Sequence, residues 1–194
     1  MLEREKLLDS WAENGSGKSS LLEVIYGIRA AQNSSVRVDK KFIRKAYRHE
    51  DLVAYLPQKP FVSGHLKVRE ALALYRCQIC EAITYFPEIE QMLPQRFDQL
   101  SGGQQRLVET IMVISCPATF VILDEPFSNV TPLHVETLKT WLFKLKENKG
   151  VLVTDHYYRD VLGISDHIYL LNMDGRTIKL KEPIKQLKDF GYIS

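Results

Sequence analysis

Apolar positions along the chain fall into two kinds of pattern, short continuous runs and helical spacings. Continuous runs of strand length lie at 52–56, 119–123, 151–154 and 167–171, and a half-exposed alternating run lies at 36–38. Helical spacings lie at 18–27, 68–83, 103–115 and 133–146. Strands that are apolar throughout and alternate with helices predict an α/β fold, in which helices flank a mainly parallel sheet.

One stretch departs from this alternation. Between the strand at 52–56 and the helix at 103–115, the pattern contains helical spacings and proline-containing loops but no strand-like run. We therefore expect a small α-helical subdomain there, projecting from the sheet. No internal repeat is visible, so the chain is predicted to be a single domain over residues 1–194.

Composition and charge narrow the choice of function. The 26 basic and 24 acidic side chains leave a net charge of +2, which lacks the basic excess of a nucleic-acid-binding surface. Three cysteines suit a reducing compartment, and the pair Cys77 and Cys80 lacks the second pair of ligands that zinc requires, so we expect reduced thiols. No signal peptide or membrane span is apparent, so any membrane role is expected to come through a partner.

A glycine-rich segment before the first helix resembles the end of a phosphate-binding loop. Its candidate nucleotide-binding residues are Asn14, Gly15, Ser16, Gly17, Lys18, Ser19 and Ser20. The glycines allow backbone N–H groups to surround phosphate oxygens, Lys18 is placed to reach the β- and γ-phosphates, and the Ser19 hydroxyl is placed to bind Mg²⁺. The alternative is a glycine turn without a ligand.

Two acidic residues, Asp124 and Glu125, follow the apolar run at 119–123. Ligand sites in parallel sheets lie beyond the carboxyl ends of the strands. Asp124 is therefore a candidate Mg²⁺ ligand, and Glu125 is placed to orient or deprotonate an attacking water. The alternative is that an acidic residue here caps the start of a helix or turn near Pro126.

The sequence Leu100 to Gln104 (LSGGQ) resembles the signature motif of ABC ATPases, and it lies between the phosphate loop and the acidic pair, as in that family. In that family, Ser101, Gly102, Gly103 and Gln104 would face the γ-phosphate of ATP held by a second protomer. Two further positions match the family. Gln58 resembles the Q-loop glutamine, a contact of Mg²⁺ or the attacking water. His156 resembles the switch histidine that contacts the γ-phosphate, although a lone histidine is more often structural.

The resemblance implies a RecA-like P-loop NTPase core over 12–59 and 100–194, with the helical subdomain over 60–99. It also implies ATP and Mg²⁺ as cofactors, with Gln58, Glu125 and His156 as catalytic residues and Ser19, Gln58 and Asp124 around the metal. The partners would be a second ATPase protomer in a head-to-tail dimer and transmembrane permease subunits. The chain would then lie in the cytoplasm, on the inner face of the cell membrane.

The chain departs from the family pattern at three places. Ala12 stands where the phosphate loop begins with glycine, and Thr131 stands where the D-loop ends with aspartate. Residues 1–11 are too polar for a central strand, so we expect the N-terminal antiparallel β-subdomain to be largely missing and the strand before the phosphate loop to be missing or poorly formed. Trp11 would then stack on adenine or cover the core.

The leading hypothesis from these residues is the ATP-hydrolysing motor subunit of an ABC membrane transporter. The departures motivate an alternative, a degenerate ABC module that binds a partner without efficient ATP turnover. A soluble ABC ATPase of translation or DNA repair is disfavoured, because members of those groups carry paired domains or a long coiled coil that this sequence lacks.

Overall fold

The computed structural model describes the backbone of residues 7–11, together with residues 17–32, 34–38, 40–49, 51–156, 161–172 and 176–191. The strands are β1 Leu7–Trp11, β2 Arg37–Val38, β3 Lys41–Phe42, β4 Val53–Leu56, β5 Phe120–Asp124, β6 Gly150–Thr154, β7 His167–Leu171 and β8 Thr177–Leu180. The helices are α1 Lys18–Tyr26, α2 Val68–Leu74, α3 Ile79–Tyr85, α4 Ile89–Met92, α5 Gly102–Ser115, α6 Pro132–Leu145 and α7 Pro183–Asp189. Short 3₁₀ turns lie at Ala46–Arg48 and Phe97–Gln99.

A six-stranded sheet organises the fold, with the order β4-β5-β6-β1-β7-β8. The first five strands in this order pair in parallel, and β8 pairs antiparallel to β7. Strands β2 and β3 form a separate two-stranded antiparallel ribbon. The parallel connections bring the carboxyl ends of β4, β5 and β6 to one edge, which is where the candidate site residues lie.

Helices cover both faces of the sheet, as the continuous apolar runs predict. Along β4, Val53 and Tyr55 pack with Leu22 of α1, whereas Ala54 and Leu56 belong to the larger core cluster formed with α5 and α6. Strand side chains point alternately to the two faces, so a strand buried on both faces needs apolar residues at every position. All five residues of β5 are buried accordingly.

The helical pattern at 68–83 does not form one helix, and our prediction there is wrong. The structure has α2 and α3 instead, because the chain reverses at Arg76, whose φ is +53°. After this turn, the Cys77 thiol donates to the carbonyl of Met112 and the Gln78 amide donates to that of Ser115. These contacts to α5 outweigh the local helical preference, which is a weak determinant by itself.

Helices α2, α3 and α4 share the main hydrophobic core with α5 and α6. Phe86, Ile89 and Phe97 are buried in the same cluster as Leu107. At the join to α6, the rings of Tyr85 and Trp141 stack with centroids 4.8 Å apart. The helical subdomain boundaries at 60 and 99 stay a prediction.

The expectation that the strand before the phosphate loop is missing or poorly formed is wrong. Strand β1 lies inside the sheet, with Leu8 paired in parallel to Leu152 of β6 on one side and to His167 of β7 on the other. Two neighbours supply backbone hydrogen bonds on both edges, and this pairing overrides the weak strand character of the local sequence. The side chain of Trp11, for which we considered two roles, lies outside the described residues.

The C-terminal part contributes two elements that the sequence pattern did not predict, β8 and α7. Strand β8 extends the sheet edge, with Leu180 opposite Ile168, and Leu187 of α7 is buried against these strands. Within the described part of the chain, every helix is too short or too polar to cross a membrane.

Candidate functional site

The candidate site centres on the carboxylate of Glu125, one residue beyond β5. Its Oε1 accepts a hydrogen bond of 2.9 Å from Nε2 of Gln58 and lies 2.7 Å from Nε2 of His156. Its Oε2 accepts a hydrogen bond of 3.1 Å from the Ser128 hydroxyl. The loops after β4, β5 and β6 therefore bring together the three residues that the sequence marked as catalytic. Ser128 is a contact that the sequence did not single out.

The backbone of Glu125 is held in an uncommon conformation. Its φ is +55°, a region that non-glycine residues occupy only when the surrounding structure enforces it. Its N–H donates to the carbonyl of Thr154 at 2.7 Å, and its own carbonyl accepts from the guanidinium of Arg106. The same guanidinium donates to the carbonyls of Asp124 and Pro57, so one buried arginine joins the loops after β4 and β5.

Opposing effects act on the ionisation of Glu125. Burial raises its pKa, but hydrogen bonds from Gln58 and Ser128 and the charge and hydrogen bond of His156 lower it, and the net pKa is below the usual range. Hydrogen bonds to the charged form favour that form. Glu125 is therefore an anion at neutral pH, suited to accept hydrogen bonds from a water molecule.

Asp124 has a different environment from its neighbour. It is completely buried, and its Oδ1 accepts a hydrogen bond of 2.6 Å from the Thr154 hydroxyl. Among the described residues, none donates a hydrogen bond to its Oδ2. A buried carboxylate oxygen without a donor is unusual, and it suits a site where a cation or its water shell supplies the missing partner.

The structure describes part of the predicted nucleotide-binding loop. Asn14, Gly15 and Ser16 lie outside the described residues, as does Ala12. Gly17 caps α1 with a φ of +93°, and Lys18, the first residue of that helix, is only 6% exposed. Ser19 and Ser20 are half-buried in the first turn. The N-terminal end of α1 thus directs backbone N–H groups and a positive dipole towards an anion.

The LSGGQ segment forms the N-terminal end of α5. The Ser101 hydroxyl accepts from the Gln104 amide at 3.2 Å, and the Gln104 side chain accepts from the Ser101 amide at 2.8 Å. This reciprocal capping box stabilises the helix start. Ser101 and Gly102 are exposed, so this end of the helix faces away from the protein's own core.

Gly103 provides a test of the packing behind the signature motif. A methyl group at Gly103 would lie 2.4 Å from the carbonyl oxygen of Asn129, whereas one at Gly102 meets no atom within 4 Å. We expect Gly103→Ala to destabilise the fold by about 1–3 kcal/mol, because backbone must shift. Gly102→Ala is the matched control and should leave the melting temperature equal or slightly raised. Differential scanning calorimetry measures both melting temperatures. Equal values for the two variants would contradict the close approach of Gly103 to the carbonyl of Asn129.

Thr131, at the position where the resemblance implies an aspartate, is the exposed N-cap of α6. Just before it, Phe127 donates its amide to Asp155 at 3.1 Å and Asn129 adopts a φ of +61°. The carboxylate of Asp155 thus fixes the start of the D-loop from the end of β6. The sequence analysis missed Asp155, although its place next to His156 after an apolar strand could have indicated it.

Two buried charged residues on α5, Arg106 and Glu109, were also missed. Both lie in the buried stretch 106–115 of α5, with exposures of 6% and 1%. A pair of opposite charges three positions apart on one face of such a helix was the available signal. Three of their partners, Pro57, Phe61 and Val62, lie 47 to 49 residues before them, which the sequence alone does not show.

Known proteins resemble this chain in sequence over most of its length. The ABC transporter family matches residues 10–128, more than half of the chain. In sequence, the chain is similar to the lipopolysaccharide export system ATP-binding protein LptB of Acidithiobacillus ferridurans, with 27% identity over 190 residues that cover 91% of this chain and 78% of that protein. It is also similar to the probable branched-chain amino acid transport ATP-binding protein LivF of Archaeoglobus fulgidus, with 28% identity over 172 residues, 81% of this chain and 73% of that protein.

Solved structures show the same fold. The ATP-binding subunit of an ABC transporter superposes with a TM-score of 0.81 at 19% identity, covering 99% of this chain and 85% of that one. The cassette MJ0796, in a dimeric post-hydrolysis state with ADP and Pi, superposes with a TM-score of 0.80 at 20% identity, covering 93% and 88%. The predicted fold class is confirmed.

Proposed function

The chain belongs to the family of ABC transporter ATP-binding proteins, and on that premise we propose that it hydrolyses ATP as the motor subunit of a membrane transporter. ATP binding closes a head-to-tail dimer, and this closure drives substrate movement through permease subunits. The observation that carries the proposal is the convergence of Gln58, His156 and Ser128 on the carboxylate of Glu125.

In the proposed reaction, Glu125 orients the attacking water and accepts its proton. Its lowered pKa keeps it ionised at neutral pH, and its contacts fix the direction in which its oxygens face. Gln58 and His156 now occupy Oε1 of Glu125, so water enters as these side chains turn towards the nucleotide. His156 then contacts the γ-phosphate and Gln58 contacts the water or the metal.

The phosphate groups are proposed to lie at the N-terminal end of α1. The contacts would come from backbone N–H groups of Asn14 to Gly17, the ammonium group of Lys18 and the hydroxyls of Ser19 and Ser20. The left-handed backbone at Gly17 and the dipole of α1 support this placement.

A Mg²⁺ ion would be held by Ser19, Gln58 and Asp124. Asp124 Oδ2, buried and without a donor among the described residues, fits a metal-bound water. A bound Mg²⁺ would supply positive charge to neutralise the phosphate oxygens. The Thr154 hydroxyl bond at Oδ1 fixes the carboxylate orientation before any metal arrives.

The exposed end of α5 supports a second protomer as partner. Ser101 and Gly102 present a capped helix start to solvent, where Ser101, Gly102, Gly103 and Gln104 are proposed to contact the γ-phosphate bound by the other copy. The cassette MJ0796 is described as a dimer, which favours the same assembly here.

A cavity of about 260 Å³ beside the edge strand β4 supports a permease partner. Its lining includes Tyr26, Tyr47, Tyr55, Leu74, Tyr75 and Arg76. Leu74 is an apolar side chain that is 70% exposed at this cavity. Burial, together with the negative charge of Asp124, raises the pKa of the Tyr55 hydroxyl, so this side chain is neutral. We propose that residues 58–74 and this cavity receive a helix of the permease, which would hold the chain in the cytoplasm at the inner face of the membrane.

The first test is ATP-induced thermal stabilisation, with and without Mg²⁺. At ATP concentrations near one hundred times Kd, binding contributes about 2.7 kcal/mol, which raises the melting temperature by roughly 5–10 °C for a chain of this size. Lys18→Ala should abolish the shift, because the phosphates lose their buried cation. Lys144→Ala, on the exposed side of α6, should keep it.

The same experiment decides between the two functional hypotheses. A folded wild type whose melting temperature does not change with ATP would support the degenerate partner-binding module. That hypothesis rests on three observations: Ala12, Thr131 and a missing strand. The last of these no longer stands, because β1 is formed.

A further inference from the structure

Glu109 is a buried carboxylate in the third turn of α5, the helix that begins at the LSGGQ segment. It is 1% exposed and surrounded on the helix by apolar residues such as Val108 and Ile111. Its pKa is raised because burial disfavours the charged form. A buried acidic group is unfavourable unless its hydrogen bonds compensate, so its partners indicate what it does.

Those partners are backbone amides of the loop that carries Gln58. Oε1 of Glu109 accepts from the amide of Phe61 at 2.9 Å and from that of Val62 at 3.2 Å. At the other end of the same loop, Nη1 of Arg106 donates to the carbonyl of Pro57 at 2.7 Å. Two side chains of α5 thus hold both ends of segment 57–62, which contains no helix or strand of its own.

Gln58 lies between these two attachments. Its side chain is exposed but reaches Glu125, so a small displacement of the loop would break a hydrogen bond that is 2.9 Å long. The attachment at Arg106 also holds the carbonyl of Glu125 itself. Helix α5 therefore fixes the position of Gln58 relative to Glu125.

We propose that Glu109 is a positioning residue that fixes the Gln58 loop to α5 and so sets the geometry of Gln58 against Glu125. This inference rests on the proposed ATPase function. It gives the helix that begins at LSGGQ a direct attachment to the Gln58 loop, so that movement of one is transmitted to the other. The proposed function of Glu109 requires an acceptor oxygen at the position of Oε1, but it does not require a negative charge there.

The requirement for an acceptor separates two variants of similar size. Glu109→Gln keeps an oxygen where Oε1 lies, whereas Glu109→Leu fills the space without any acceptor. We expect Glu109→Leu to speed hydrogen exchange at the amides of Phe61 and Val62 by about 10-fold or more, since each loses its partner. Glu109→Gln should stay close to wild type in the same NMR measurement.

ATP turnover provides the second readout. Glu109→Leu should lower kcat by about 10-fold and leave KM for ATP within about twofold, because the phosphate loop is untouched. Glu109→Gln should retain most of kcat. Equal losses in both variants, unchanged amide exchange in Glu109→Leu, or a change in KM alone would overturn the proposal.

A backbone variant covers the case in which Glu109→Leu fails to fold. Val62→Pro removes one donor from the other side of the contact and should lower kcat with KM preserved, and an unchanged kcat would count against the proposal. The exchange measurement needs no ATPase activity. If the wild-type chain does not hydrolyse ATP, the proposed function fails, while protection of the two amides still decides whether Glu109 holds the loop.

Discussion

Glu125→Gln is expected to lower the rate of ATP hydrolysis by about 10²–10⁴-fold, the range of a lost general base. The substitution keeps the shape of the side chain and an acceptor for Gln58, but it removes the negative charge that makes the carboxylate an acceptor for the proton of water. Because the lowered pKa keeps wild-type Glu125 ionised at and around neutral pH, the rate difference between wild type and variant should be present at every pH near neutrality. A steady-state assay of phosphate release measures it.

Binding of ATP should survive in the same variant. Glu125 contacts Gln58, His156 and Ser128, and none of these belongs to the proposed phosphate loop. The ATP-induced thermal shift of Glu125→Gln should therefore match that of wild type. Glu147→Gln, an exposed residue after α6, is the matched control and should hydrolyse ATP normally. Wild-type turnover in Glu125→Gln would remove Glu125 from the reaction.

Arg106→Met is expected to cause the largest loss of stability among the substitutions considered, about 3–5 kcal/mol. Methionine replaces the aliphatic stem but leaves the carbonyls of Pro57, Asp124 and Glu125 without this donor. It also removes the cation that lies 3.9 Å from the carboxylate of Glu109. The melting temperature should fall by roughly 6–20 °C.

An exposed arginine provides the comparison for this variant. Arg29 pairs with Glu23 at 2.6 Å, yet its side chain is 53% exposed, so water replaces the lost contact. Arg29→Met should change stability by at most about 1 kcal/mol. Similar melting temperatures for the two variants would show that the Arg106 contacts do not stabilise the fold.

The sequence analysis was most accurate where a residue's environment is set by its own segment. The apolar run at 119–123 predicts a strand buried on both faces, and β5 is one. The helical spacings at 18–27 and 133–146 likewise appear as α1 (Lys18–Tyr26) and α6 (Pro132–Leu145). Local backbone preference and side-chain chemistry suffice for such features.

It failed where segments distant in the chain decide the outcome. The polar sequence of β1 reads as a poor central strand, but β6 and β7 lie on both sides of it. The helical pattern at 68–83 is interrupted because residues after Arg76 bond to the end of α5. In both cases, tertiary contacts exceed a local preference that amounts to only about 1 kcal/mol.

The sequence by itself determined which residues are proposed to act on ATP: Lys18, Ser101, Asp124, Glu125 and His156 occur in the order expected for ATP and its phosphates. Only the tertiary structure decided how these groups are oriented. Parallel strands bring their carboxyl ends to one edge, where Gln58 and His156 reach Glu125 across 67 and 31 positions of the sequence. The buried pair Arg106 and Glu109 then fixes the loops, because their partners become neighbours only when the helix packs on the sheet.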